Sequence, residues 1–282
     1  MQPLGPDSLT WRFFGDNRAL LTGPRAGVLQ LMLPSLGQGV MEHSVFFSDT
    51  FGRLKRSAGP ILNTVYGGAE AVRTGAKVRD YHVNIKGEMP GGERYHALDP
   101  ETYFWAHATF LDHLIYSTET FMRPLTDEEK HRIYEESKVW YAMYGVSDRP
   151  VPEDWPAFQA YWKRMLNEEL AAHKSAAYSV GYVEKGFPRP RRIPEGVWKV
   201  LGVPLNAVAR FLTVGGLPPE ARDILGLRWT RADERRYRRF AEIVRSLGDL
   251  WSVLPDFVKY TPPARKAFKR DGRPSPLPRP RA

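Results

Sequence analysis

The chain reads as an all-α protein, and three observations predict this. Asp99-Pro100-Glu101 places a capping carboxylate, a proline suited to the first helical position and an acid favoured by the helix dipole in consecutive positions. Thr126 with Glu129, and Thr230 with Asp233, have the three-residue spacing of a capping box. The alternating stretch that stands out, Tyr81 to Gly87, is short and runs into Glu88-Met89-Pro90-Gly91-Gly92, so it reads as an extended piece and a turn.

The elements follow in order. Pro24 to Leu33 forms a short apolar helix that kinks at Pro34, and a second segment runs through Val40 to Phe47. Gly67 to His82 carries Ala69, Val72, Ala76 and Val78 at near-helical spacing. The helix opened by Asp99 runs to about Met122 and stops before Pro124. The one opened by Thr126 holds Ile133, Tyr134, Trp140, Tyr141 and Tyr144 and ends at Gly145. Asp154 caps a helix toward His173. A Pro/Arg-rich link covers Gly186 to Pro194, followed by helices at Pro204–Val214, Pro219–Leu225 and Arg231–Val253. Residues 1–261 read as one main domain. Residues 262–282, from Pro262 to Ala282, read as a disordered basic tail, being Pro-rich and without large apolar residues after Phe268.

Composition narrows the function classes. With no cysteine in 282 residues, disulfides, thiolate-held haem, cysteine zinc sites and iron–sulfur clusters are excluded. The net charge of +9 is concentrated near the end, where seven basic residues and one acid fall between Arg265 and Arg281. The remainder is near balance, so the charge says little about the main site, and nucleic acid is an unlikely partner. No basic segment followed by an apolar run opens the sequence, and no uninterrupted apolar run spans a bilayer. The expectation is a cytoplasmic protein with peripheral membrane contact through the basic tail.

His107 is the residue most charged with meaning. Its helical neighbours at i−4, i−3, i+3, i+4 and i+7 are Tyr103, Phe104, Phe110, Leu111 and Leu114, so the imidazole is aimed from an apolar helix face toward the interior. Two roles are open for it, core histidine and ligand. His113, six residues on, lies on another face and cannot chelate with it. In Gln38 to Ser57, His43 stands near Phe46, and Arg53 and Arg56 form a basic cluster suited to carboxylates or to a solvated loop. A further cluster holds Arg73, Arg79, Tyr81 and His82, where His82 serves either a pocket or the turn toward Gly87. The sequence contains no HExxH, Walker loop, GxGxxG or GxSxG.

Five words recur in one order: Gly39-Val40-Met41-Glu42-His43-Ser44-Val45-Phe46, Val65-Tyr66-Gly67-Gly68, His82-Val83-Asn84-Ile85-Lys86-Gly87, Tyr95-His96-Ala97-Leu98-Asp99-Pro100-Glu101 and Trp105-Ala106-His107-Ala108-Thr109. Together they resemble the DUF2236 family over about residues 20 to 255. Its members include the latex-clearing rubber oxygenases and the oxygenase that cleaves the farnesyl side chain in mycophenolic acid biosynthesis. The resemblance implies a globin-like helical bundle holding haem b, with His107 matching the proximal iron ligand. It also implies O2 as co-substrate, an electron donor and a small hydrophobic substrate, isoprenoid or lipid-like. Arg53-Leu54-Lys55-Arg56-Ser57 is similar to the family's distal Arg-x-x-Lys-Thr word, but Arg56 stands where a lysine can cap the iron, and arginine does not lose its proton.

The residue roles implied are catalytic for Arg53, His43 and His82, iron ligation for His107, and cofactor contact for Arg53, Arg56, Arg79 and Phe104. Phe46, Trp105 and Phe110 are further candidate walls. Two other readings stand beside this one. One is a non-catalytic haem- or lipid-binding protein at a membrane surface. The other is a non-haem iron oxidase using histidines with Glu42 or Asp99.

Overall fold

The computed structural model describes residues 2–22, 24–45, 50–186, 189 and 193–274, and within them all side chains but those at 50, 51, 53–56 and 182–185. The first half contains α1 (Leu9–Phe13), α2 (Arg25–Met32), α3 (Pro34–His43), α4 (Thr50–Tyr66), α5 (Ala71–Asp80), β1 (Lys86–Glu88) and β2 (Arg94–His96). Then come α6 (Pro100–Phe121), α7 (Asp127–Ala142), α8 (Trp155–Arg164), α9 (Lys174–Lys185) and α10 (Glu195–Gly216). The last are α11 (Pro219–Ile224), α12 (Arg231–Ser246), α13 (Gly248–Val253), α14 (Asp256–Lys259) and α15 (Pro262–Asp271). The two strands pair antiparallel with Gly87 opposite Tyr95, so the sheet is one small hairpin on a helical body.

Helix α6 is the axis. Asp99 caps it by accepting from the amides of Glu101 and Thr102. It buries residues on most of its circumference, as a helix surrounded by others must. Helices α2, α7 and α12 and the 3-10 turn Asn17–Thr22 pack around it. Both expected capping boxes are present, Thr126 with Glu129 and Thr230 with Asp233. Between α2 and α6, Arg25 forms a bidentate pair with Asp112, at 2.8 and 3.1 Å. The first helix is tied down by the buried Glu136, whose carboxylate accepts from the amides of Leu9 and Thr10.

Several expectations are corrected. The segment around Arg53 is neither loop nor extended: it belongs to α4, which contains Pro60. Helix α10 begins at Glu195 rather than Pro204, and Pro204 lies inside it. Proline there leaves one carbonyl without its amide partner, on a stretch open to solvent where water can serve. The expected helix Arg231–Val253 breaks at Leu247 into α12 and α13. The disordered tail expected from Pro262 is overturned as far as Asp271. Residues 262–271 form α15, with Ala264, Ala267 and Phe268 buried. Phe268 packs against Trp11, Tyr66 and Tyr260, at ring distances of 6.1, 6.2 and 5.0 Å. The sequence hid this because one phenylalanine with two preceding alanines suffices for a helix that needs only a narrow apolar stripe. Residues 275–282 lie outside the described ones.

Candidate functional site

A cavity of about 690 Å³, within the usual size of small-molecule and cofactor sites, opens between α3, α4, α5, the hairpin and α6. Each wall follows from local structure. On α6, Thr102, Tyr103, Ala106, His107 and Phe110 recur at helical spacing and line it as one stripe. Gly39, Val40 and His43 do the same on α3, and Ser57, Pro60 and Ile61 on α4. Gly39 is where the hairpin closes on α3: a Cβ there would meet Ile85 Cγ2 at 3.3 Å and the Tyr95 ring at 3.4 Å. Tyr95, itself part of the lining, donates a hydrogen bond to Glu42. Burial and that carboxylate together push the phenol up to about 12, while the hydrogen bond holds Glu42 below the usual carboxylate range.

His107 is set into the inner wall, 3% exposed, and among the described residues neither ring nitrogen has a hydrogen-bond partner. Trp140, Tyr141, Phe104 and Tyr144 surround it with ring distances of 4.7, 5.0, 6.2 and 6.2 Å. The polar ends of these aromatics are used elsewhere. Trp140 donates to the Tyr144 hydroxyl at 2.9 Å and Tyr141 to the Ser147 carbonyl at 3.1 Å. Burial lowers the imidazole to about 3, so the ring is neutral. The Ser137 carbonyl on α7 pulls the other way without reaching hydrogen-bond geometry. A buried imidazole normally finds a partner, because an unmet polar group costs roughly 1–3 kcal/mol. A neutral imidazole with unspent nitrogens, in the wall of an apolar cavity, fits an iron that needs one protein nitrogen.

His82 and His43 line the same cavity. The His82 Nδ1 lies 2.8 Å from the Val78 carbonyl, which places its proton on Nδ1, and the ring meets Tyr103 edge-on at 5.8 Å. His43, at the mouth, sits 3.2 Å from the Lys86 carbonyl and 3.9 Å from Glu42. Thus three of the expected histidines converge, although 64 residues separate the first from the last. Phe110 joins them. Phe104 packs on His107 from behind, outside the lining, and Trp105 is core, donating to the Leu29 carbonyl at 3.1 Å. Arg79 does not line the cavity and pairs with Asp80 at 2.7 Å. The side chains of Arg53 and Arg56, and residue Phe46, lie outside the described residues. Arg53 and Arg56 precede Ser57 on the same helix.

Among the lining residues that sequence reasoning did not single out are two tyrosines next to His107. Tyr103 was visible as the i−4 neighbour of His107, but nothing marked its hydroxyl as buried without a partner. Tyr144, which follows α7, comes to the cavity only through the packing of α7 on α6. His113 is apart, as expected, and meets the Thr22 hydroxyl at 3.1 Å. No group of three or more His, Asp or Glu side chains converges for a metal ion among the described residues.

No solved structure matches this chain. Two mycobacterial proteins do, the uncharacterized protein Mb2261 of Mycobacterium bovis and the uncharacterized protein Rv2237 of Mycobacterium tuberculosis. Each is 27% identical over 229 residues, which cover 77% of this chain and 84% of the relative. The domain described as "ER-bound oxygenase mpaB/B'/Rubber oxygenase, catalytic domain" matches residues 11–246, a span that contains every cavity-lining residue. The chain belongs to this family of oxygenase catalytic domains.

Proposed function

We propose that the cavity binds one b-type haem through His107 and that the protein is an O2-dependent oxygenase of a small hydrophobic substrate, isoprenoid or lipid-like. The observation that carries the reading is the His107 imidazole: neutral, buried, without a hydrogen-bond partner among the described residues and set in the cavity wall. A haem would bring its own porphyrin nitrogens to the iron and would need one more from the protein, which His107 would supply; a non-haem centre would need three protein ligands, and no such group converges among the described residues. Haem, when bound, supplies the activation of O2, and the protein supplies position and environment.

The chain's own residues have separable tasks. His107 offers a neutral nitrogen, and the aromatic rings of Phe104, Trp140, Tyr141 and Tyr144 packed around it hold the ring. Val40, Ile61, Val78, Ile85 and Phe110 make walls that exclude water and accept apolar carbon. His82, its proton fixed on Nδ1, and His43 at the mouth are the groups placed to hold or pass a proton. Arg53 and Arg56, in the first turns of α4, are the proposed carboxylate partners of the cofactor. An external electron donor completes the reaction.

The test is a spectrum. Protein expressed with haem supply should show a Soret band and a b-type pyridine haemochrome. His107→Ala should lose both while keeping its helical circular dichroism. A normal spectrum in the folded variant sinks the ligand assignment. Haem-loaded protein that consumes no O2 with any isoprenoid alkene would leave a haem-binding protein without the oxygenase substrate proposed.

A further inference from the structure

Helix α10 carries an apolar stripe at helical spacing: Val197, Val200, Leu201, Pro204, Leu205 and Val208. At the same spacing the stripe continues into Phe211 and Leu212. That far end is covered: Phe211 packs on Tyr237 and Phe240 of α12 at 5.6 and 6.2 Å. The near end is bare. All six stripe residues from 197 to 208 are exposed, Val200 reaching 72%. One continuous apolar face is therefore half used by the fold and half presented to the outside.

Burial of such a face is worth about 25 cal/mol per Å² of apolar surface, so it is a strong candidate for contact. Charge decides which partner fits. Among the described residues of 186–210, Arg189 and Arg210 accompany Lys199, which pairs with the single acid Glu195 at 3.0 Å. The neighbouring α12 adds Arg231, Arg235 and Arg239, one stripe of exposed side chains without an ion pair among the described residues. A second copy docked on the same face would bring like charges together. An anionic bilayer surface offers apolar depth and opposite charge at once.

We propose that α10 is a membrane-docking helix that lies in the plane of an anionic lipid surface, its Val197–Val208 stripe in the headgroup–acyl boundary. It does not span. Phe211 and Leu212 pack on the body and Thr213, Val214, Gly215 and Gly216 are buried in it, which leaves 16 residues from Glu195 to Arg210 outside. That is about 24 Å of helix at 1.5 Å per residue, short of a hydrocarbon core of about 30 Å. This placement differs from contact through the basic tail. There Arg270 pairs with Asp271 and donates to the Tyr66 carbonyl, and Arg273 pairs with Asp256. The proposal is independent of whether His107 holds an iron.

The experiment is flotation of the full-length protein with phosphatidylcholine vesicles, with and without phosphatidylglycerol, in low and high salt. Binding is expected only with the anionic lipid and should fall as salt rises. Val200→Asp with Leu205→Asp should reduce partitioning at least about tenfold, since two buried apolar side chains become charged. Both positions are exposed, so the melting temperature should hold. Arg210→Glu, which leaves the stripe intact, should cost more than about fivefold. Wild-type protein that fails to float, or a folded double variant that floats as well, overturns the proposal. So does sedimentation showing a dimer that the double variant dissolves while vesicles are ignored.

Discussion

The residue scale is set by two histidines of α6 with different fates. His107 has nitrogens with no partner among the described residues, whereas the half-buried His113 shares a hydrogen bond with Thr22, whose hydroxyl already donates to the Ala19 carbonyl at 2.8 Å, so Nδ1 of His113 is the donor. Burial first and the Arg25 guanidinium second lower His113 to about 4. An unfolded histidine titrates near 6.5. Between these values the unfolded chain holds a proton that the folded one refuses, so stability is fully present above about pH 6.5 and drains as pH falls toward 4. The expected loss between pH 6.5 and 5 is up to about 2 kcal/mol from this residue. Urea melts of wild type and His113→Gln at both pH values measure it. Equal acid loss in the two proteins would place the sensitivity elsewhere.

At the scale of elements, close approach matters more than propensity. Helix α5 ends just before His82, and its position is set by Gly75, where a Cβ would stand 2.3 Å from the Met143 carbonyl oxygen. Backbone cannot yield there as a flexible side chain would. Gly75→Val should push α5 away from the end of α7 and destabilise the fold by about 1–3 kcal/mol, the usual range for overpacking. It should also widen the wall made by Val78, Tyr81 and His82. A thermal melt unchanged from wild type would show the junction to be loose. The hairpin is positioned by the same device at Gly39, which is how three short, weakly patterned segments come to enclose a cavity against the strongly patterned α6.

At the scale of the molecule, the two ends of the chain close on each other. Trp11, Tyr66 and Phe268 share one aromatic cluster, and Thr261 donates its amide to the Gly15 carbonyl at 2.9 Å. Helix α15 is therefore a structural element rather than a solvated appendage. Phe268→Ala should cost about 3 kcal/mol, as truncation of a buried phenylalanine does. Truncation after Tyr260 should cost more, because Ala264, Ala267 and the Arg270 bond to Tyr66 go with it. Denaturant midpoints test both. A truncated chain as stable as the full one would show α15 to be loosely held.

What the sequence determined by itself was whatever a local rule encodes. Helix starts at Asp99, Thr126 and Thr230 are written in cap chemistry over four residues, and the inward aim of His107 is written in its helical neighbours. The order of family words carried the oxygenase relationship, since order survives where no single motif is strong. Only the tertiary structure decided what depends on distant surfaces. It brought His43, His82 and His107 to one cavity, set Arg79 against Asp80 instead, folded α15 onto Trp11, and left half of the α10 stripe bare. Periodicity states that a face is apolar. Whether a neighbour covers it is settled by packing between segments far apart in the chain, and no local pattern records that.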